Sequence, residues 1–314
     1  MSDRRIRVFH AVAKHLSFTK AAEALSMSQP AVTFQIRQLE EELDTRLFDR
    51  APGGILLTPA GAVALEYADR MLAMSAELST RLKEMSGRIG GQLLIGASTA
   101  YADVLLPRVL VEFKSRFPAV VPRLVIANSE NVQALIVQRT LDIGFIEGES
   151  RQPALATELC CRDELQIVCA PSHPLAAQSC VGADALTRHH YVSREAGSGT
   201  RQAVDRYLQD CGLSPGVLQV VMEVSSPDTV KALVASGVGF SIMSRASATK
   251  EVQLGQLRTI PLSPRLLRSL SVAYPKERIR SRLINSFLGF AKERIAALQS
   301  AAEPQREPPS LRGS

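Results

Sequence analysis

Ser28-Gln29-Pro30-Ala31-Val32-Thr33-Phe34-Gln35-Ile36-Arg37-Gln38-Leu39-Glu40 reads as a short helix with one face meant for something other than protein. Ser28 suits the cap, and Pro30 sits in the first turn, where its missing N–H costs little. At 3.6 residues per turn, Val32, Ile36, Leu39 and Leu43 fall on one narrow face that packs inward. Pro30, Phe34, Arg37 and Glu41 point the other way, flanked by Thr33 and Gln38. Such side chains suit base edges: Arg forks onto guanine, Gln onto adenine, and apolar carbons touch the thymine methyl. Taken alone, the same face also fits a solvated helix with one exposed Phe.

The preceding stretch decides between the two. Ser17-Phe18-Thr19-Lys20-Ala21-Ala22-Glu23-Ala24-Leu25-Ser26-Met27 reads as a second short helix, with Thr19 as its expected cap and Ala21-Ala22 allowing close approach. A tight break at Ser26-Met27-Ser28 separates the two. This is a helix-turn-helix pattern, whose second helix enters the major groove. Residues 3–16 form a bracing helix with Ile6, Phe9, Ala13 and Leu16 along one side. After the recognition helix, residues 45–50 and 55–57 pair as two short strands around the turn Pro52-Gly53-Gly54, which makes a wing.

The run from Phe9 to Gly61 resembles the N-terminal module of LysR-type bacterial transcriptional regulators. The matching residues are Phe9-His10-Ala11-Val12-Ala13, Ser17-Phe18-Thr19-Lys20-Ala21-Ala22, Ser28-Gln29-Pro30-Ala31-Val32, Ile36-Arg37-Gln38-Leu39-Glu40, Leu47-Phe48-Asp49-Arg50 and Leu57-Thr58-Pro59-Ala60-Gly61. Asp44 departs from the family's usual Gly, and residues 51–55 lack the basic wing tip of many members. The resemblance implies a ligand-responsive, sequence-specific DNA-binding regulator. It also implies a homodimer joined through a linker helix and paired into a homotetramer that bends promoter or operator DNA between tandem half-sites.

Bulk charge does not carry that reading. The formal net charge is +6, but residues 1–90 hold 12 basic against 11 acidic side chains, and residues 261–314 hold 10 against 4. DNA contact must rest on placement. Gln29, Pro30, Thr33, Phe34, Arg37 and Gln38 are the candidate groove residues. Arg4, Arg5, Lys20, Arg37, Arg46 and Arg50 are the candidate phosphate contacts.

Thr58-Pro59 opens a long helix running to about Ser86. Ala64, Tyr67, Met71, Met74, Leu78 and Met85 fit an a/d heptad register interrupted by Arg81, and a seam this long asks for a partner helix, with packing against the chain's own effector domain as the alternative. Gly90-Gly91 marks a boundary, after which strands alternate with helices in an α/β pattern with a parallel sheet. Strands are expected at 93–95, 124–126, 143–146, 166–170, 191–193, 220–224, 240–243 and 270–274. Helices are expected at 102–117, 130–139, 199–211, 227–236 and 280–298. The expected organisation is a winged helix-turn-helix over 1–58, a linker helix over 59–89 and a periplasmic-binding-protein-like effector domain over 90–300. That domain has two subdomains with crossovers near 160–166 and 262–270, and Pro-rich residues 301–314 form a disordered tail.

Ligands of open α/β sheets bind beyond the carboxyl ends of strands. Ala97-Ser98-Thr99, Asn128-Ser129, residues 193–201 and Ser225-Ser226-Pro227-Asp228-Thr229 lie at such places, each leading into a helix that offers free N–H groups. The expected ligand is a small anionic effector held by Ser98, Thr99, Ser129 and Thr200, with Arg201 or Arg194 nearby. Glu147 would favour an added amine or hydroxyl.

No catalytic constellation is present. The five histidines (His10, His15, His173, His189, His190) and five cysteines (Cys160, Cys161, Cys169, Cys180, Cys211) lack metal spacing, so no metal, cofactor or enzyme activity is expected. The cysteines read as small buried hydrophobes, with a redox-sensing Cys160-Cys161 pair as the alternative. No apolar run spans a bilayer and no secretory signal is visible, so a cytoplasmic protein is expected. The rival reading is a cytoplasmic solute-binding protein without DNA function.

Overall fold

The computed structural model describes residues 3–51, 54–85, 89–276 and 281–302. Two compact units emerge: Met1–Gly91 with Gln138–Thr140, and the remainder from Gln92 onward. Among the described residues no helix is long and apolar enough to cross a membrane.

The first unit runs α1 (Asp3–His15), α2 (Phe18–Leu25), α3 (Gln29–Glu42), β1 (Phe48–Ala51), β2 (Gly54–Leu57) and α4 (Pro59–Met85). The expected inward face of α3 is buried at Val32, Ile36 and Leu39, which join Ile6, Phe9, Val12, Ala21 and Leu47 in one core. Leu43 departs from that expectation. It ends α3 as its C-cap and is 42% exposed. Leu16 departs too, leaving α1 with φ 46° and an exposed side chain. The cap of α2 is Ser17 rather than Thr19: Ser17 Oγ accepts from the Lys20 backbone N–H at 3.3 Å. Ser28 caps α3 by position alone, without a side-chain hydrogen bond.

β1 and β2 pair antiparallel from Phe48↔Leu57 to Ala51↔Gly54, which is the wing. Pro52 and Gly53 of its expected turn lie outside the described residues. Glu40 Oε1 accepts the Leu47 and Phe48 N–H groups at 2.7 and 3.3 Å, tying the wing to α3. Thr58 caps α4, its Oγ1 accepting from the Gly61 N–H at 2.9 Å and donating to the Arg46 carbonyl at 2.8 Å.

The second unit begins with β3 (Gly91–Ala97), α5 (Thr99–Val104), α6 (Leu106–Arg116), β4 (Val120–Ile126), α7 (Ser129–Val137), β5 (Ile143–Glu147) and β6 (Leu155–Cys169). It continues with β7 (Val181–Gly182), α8 (Ala183–Leu186), β8 (His190–Arg194), α9 (Gly199–Asp210), β9 (Gln219–Val224), α10 (Pro227–Ala235) and β10 (Phe240–Ser244). It ends with α11 (Thr249–Gln253), β11 (Arg258–Ile260), β12 (Leu262–Ser263), β13 (Leu266–Pro275) and α12 (Arg282–Ala302).

Eight strands follow the order β4-β3-β5-β13-β6-β10-β8-β9, with β11 also on β6. The sheet is mixed, not parallel throughout. β3 pairs parallel with β5, and β8 pairs parallel with β9 and β10. The central β13 and β6 are antiparallel to each other, and each is antiparallel to its outer neighbour. The expected crossovers near 160–166 and 262–270 are thus largely strand: β6 runs unbroken through the first, and β13 starts inside the second. Their ladder slips at Leu270/Ser271, where the bulge leaves Cys160 without a Cα partner.

The helix expected over 102–117 is two helices meeting at Leu105, with Pro107 in the first turn of the second. α12 extends past its expected end and takes in Ala301 and Ala302, the first residues of the expected tail; 303–314 lie outside the described residues. One half of the sheet is cored by a contiguous cluster including Leu165, Ile167, Val192, Val204, Leu208, Val234, Phe240 and Ile242. The other half centres on packed aromatics, with Phe113 and Phe287 edge-on at 4.9 Å and Tyr101 and Phe145 tilted at 5.1 Å between ring centroids.

Candidate nucleic-acid interface and effector cleft

On α3 the outward face carries Gln29, Pro30, Phe34 and Arg37, all exposed, with Thr33 half-buried beside them. Phe34 is 55% exposed, an apolar cost that the unit's own core does not recover. Gln29 Nε2 donates to Thr33 Oγ1 at 3.2 Å, and Thr33 Oγ1 donates to the Gln29 carbonyl at 3.0 Å. Gln29 is therefore braced along this face by Thr33. Lys20 is exposed on α2. Arg50 lies in β1, and its side chain falls outside those described.

Gln38 differs from its neighbours. Arg5 Nη2 of α1 donates to Gln38 Oε1 at 2.9 Å, while Arg5 Nη1 pairs with Glu42 at 2.7 Å. These contacts turn Gln38 toward α1 and commit Arg5 to the protein. Neither joins the Gln29–Phe34–Arg37 face, although sequence placed Gln38 beside it.

α4 leaves Val63, Tyr67, Met71, Met74 and Leu78 exposed, at 57, 56, 40, 55 and 59%. Its first half walls an apolar groove of about 500 Å³ with Ile6, Phe9, Leu39, Leu43 and Leu47. The expected heptad positions Arg81 and Met85 have side chains outside those described.

In the second unit Thr99, Glu147, Arg194 and Thr200 converge on one small cavity, together with Arg268 from β13 and Ser241 and Ser244 from β10. Glu147 ends β5 and pairs with Arg268, and both side chains are 3% exposed. Thr200 Oγ1 donates to Glu147 Oε2 at 3.0 Å and accepts from Arg268 Nη1 at 2.8 Å. Arg268 Nη2 and Nε donate to Asp163 Oδ2 at 2.7 and 2.9 Å. Burial pushes the Glu147 carboxyl up, but the charges of Arg268 and Arg194 and the Thr200 hydroxyl outweigh it and hold it below its ordinary value.

Ser129 is buried behind this network, its Oγ accepting the Glu147 N–H at 3.0 Å. Ser98 Oγ and Ser198 Oγ, at the starts of α5 and α9, are buried with no hydrogen-bond partner. The loop before α9 is stapled to the start of α7: Glu130 N–H donates to the Gly197 carbonyl at 3.2 Å, and Asn128 Nδ2 to the Ala196 carbonyl at 3.3 Å. Gly197, at φ +82°, suits this turn because it is in the left-handed region that side chains rarely adopt.

Arg201 is the candidate that the cleft does not gather. It sits one residue past Thr200, about 100° further round the helix. Its Nη1 pairs with Glu223 at 2.6 Å on the outer surface. Glu147 is also not available to an effector amine, since Arg268 and Thr200 already hold it. Arg268, the residue at the centre of the network, was missed because residues 262–270 were read as a crossover and the strand was started at 270, whereas β13 begins at Leu266.

Among the described residues no group of three or more His, Cys, Asp or Glu could hold a metal ion. Burial, with the neighbouring Cys160 and Asp163, pushes the Cys161 thiol up to about 12, and burial pushes Cys169 up to about 11. Both are protonated at neutral pH, the condition of packed rather than reactive thiols.

Residues 4–62 match the bacterial regulatory helix-turn-helix protein, lysR family, and residues 86–296 match the LysR substrate binding domain. The chain belongs to the LysR family of transcriptional regulators. It is 32% identical over 305 residues to the probable RuBisCO transcriptional regulator of Cyanophora paradoxa, covering 96% of this chain and 93% of that one. Its fold is similar to that of CbnR, a LysR family transcriptional regulator, with a TM-score of 0.72, 20% identity and 94% and 99% of the two chains covered. It is similar also to the Synechocystis PCC6803 CcmR regulatory domain in complex with 2-PG, with a TM-score of 0.59 and 23% identity over 64% of this chain and 96% of that one. As a LysR regulator the chain is a sequence-specific DNA-binding protein with an effector-binding domain. The rival of a solute-binding protein without DNA function leaves the match over 4–62 unexplained.

Proposed function

We infer that this LysR regulator reads the major groove with Gln29, Pro30, Thr33, Phe34 and Arg37 of α3, and that Lys20 and Arg50 contact phosphate. The observation that carries this is the exposed Phe34 beside a braced Gln29 and an exposed Arg37, on a helix whose opposite face is fully used in the core. Arg37 supplies the fork for guanine, Gln29 the amide for adenine, and Phe34 and Pro30 carbons for thymine methyls.

The second unit, from about residue 90 to 300, is the effector domain. Its ligand is a small anion seated among Thr99, Thr200, Arg194 and Arg268, with Ser98, Ser129 and Glu147 framing the seat. Two features support this: hydroxyls and guanidinium groups converge there, and a fold neighbour, CcmR, holds a small molecule in its regulatory domain. Residues 59–89 form the dimerising linker, supported by the exposed Tyr67, Met71, Met74 and Leu78. Dimers pair into a tetramer on tandem half-sites. The protein acts in the cytoplasm and does no catalysis.

Ligand binding can shift DNA binding only by favouring one arrangement of the chain over another. The test is selection of bound genomic fragments by the full-length protein, followed by footprinting with and without a small-molecule cell extract. An enriched two-fold-symmetric motif whose footprint changes with extract supports the reading. No enrichment in either condition overturns it.

A further inference from the structure

Glu147 behaves as a bound anion inside the effector cleft. Arg268 Nη1 and Thr200 Oγ1 both donate to the same carboxylate oxygen, Oε2. Gly199, at the start of α9, lies directly on the Glu147 side chain, where a Cβ on Gly199 would overlap Glu147 Cβ. Strand β5 and helix α9 are thus closed on each other through this one side chain.

Among the described residues that line the cleft, both arginines are already paired with carboxylates. Arg268 also donates through Nε and Nη2 to Asp163, and Arg194 donates through Nε and Nη2 to Glu195 at 2.9 and 3.2 Å. Asp103 adds a further carboxyl to the wall. Space is equally short. The cavity is about 20 Å³, room for about one water. Small-molecule sites run to about 300–1,000 Å³. An anion added beside Glu147 therefore meets arginines already paired with carboxylates, and little volume.

We propose that the effector is a compact oxyanion that takes the place of the Glu147 carboxylate on Thr200 and Arg268, with Glu147 as its built-in competitor. This rests on the reading of this cleft as the effector site. The exchange keeps Arg268 paired with an anion throughout: the Glu147 carboxylate swings off its Nη1 as the oxyanion arrives. The Ser198 hydroxyl, buried at the start of α9 without a hydrogen-bond partner, gives the incoming group a donor that the carboxylate does not use. A tetrahedral oxyanion, with more acceptor oxygens than a carboxylate, gains most from it. The start of α9 adds its free N–H groups and positive dipole end.

The experiment is titration calorimetry of the full-length protein with inorganic phosphate, at ionic strength held constant with chloride. Glu147→Gln keeps the side chain's shape but removes the competing charge. It should bind phosphate at least about tenfold more tightly than the natural chain. Adding Thr200→Val to that variant should cancel the gain. Glu147→Asp, which keeps the charge but shortens the reach to Arg268, should bind with intermediate affinity, and it serves if Glu147→Gln melts without cooperativity. Phosphate binding that is unchanged by Glu147→Gln and Glu147→Asp overturns the displacement and leaves the anionic site standing. No phosphate binding by any of these chains overturns both.

Discussion

Glu147 and Arg268 lie 121 residues apart in sequence and form a fully buried ion pair. Arg268 also covers Asp163, so one guanidinium neutralises two carboxylates where β5, β6 and β13 meet. Arg268→Met should strand both acids, and breaking a buried pair by removing one partner costs about 3–5 kcal/mol. Urea denaturation of the variant should show that loss in the transition of the second unit. A loss of under about 1 kcal/mol, the range of surface pairs, would mean the pair is not desolvated as described.

The same pair sets a pH dependence. Glu147 is held below its ordinary value of 4.5 in the folded chain. A carboxyl of that kind binds more protons unfolded than folded around that pH. Its stabilisation is therefore complete above about pH 4.5 and is lost as the pH falls further. Denaturation midpoints should drop as the pH falls from about 5 to about 3, with a smaller drop in Glu147→Gln. Equal drops in the two chains would remove Glu147 from the explanation.

On α3 the braces separate the two glutamines. Gln29→Ala and Arg37→Ala should each cost about 1–3 kcal/mol of discrimination at a defined base pair. Gln38→Ala should change affinity without relaxing any single position, because Gln38 is held by Arg5. Lys20→Ala should weaken binding evenly across sequences and lower the salt slope by about 1. Binding to a set of single-base variants of the selected site separates these outcomes.

Along α4, Met74→Glu and Leu78→Glu place charges on an exposed apolar seam. Sedimentation should show a shift from dimer or tetramer toward monomer, with DNA affinity falling in parallel as the paired half-site contacts are lost. An unchanged assembly state would move the interface off this seam.

Much of this was legible along single elements. The face of α3 follows from period 3.6, the wing from two short strands about a Pro-Gly-Gly turn, and the start of α4 from Thr58-Pro59. Leu43 was misplaced because the period was carried one residue beyond the last helical turn. Ser98, Thr99, Ser129 and Thr200 were legible as residues after strands and at helix starts. What periodicity cannot show is which distant side chain fills the space between them. Arg268 sits in a strand whose neighbours Leu266 and Leu270 face the core, and only the pairing of β13 with β6 and β5 sets it against Glu147 and Asp163. Arg201 misled for the opposite reason: adjacency to Thr200 in sequence puts it on a different side of α9.

The most direct measurement is footprinting of the selected DNA site by the full-length protein and by its Thr200→Val variant, each with and without the small-molecule extract. The natural chain should protect a two-fold-symmetric site whose boundaries or hypersensitive bends change when extract is added. Thr200→Val should protect the same site and ignore the extract, because its recognition helix is intact and its ligand seat is not. A footprint that responds identically in both chains would contradict the link between this cleft and DNA binding.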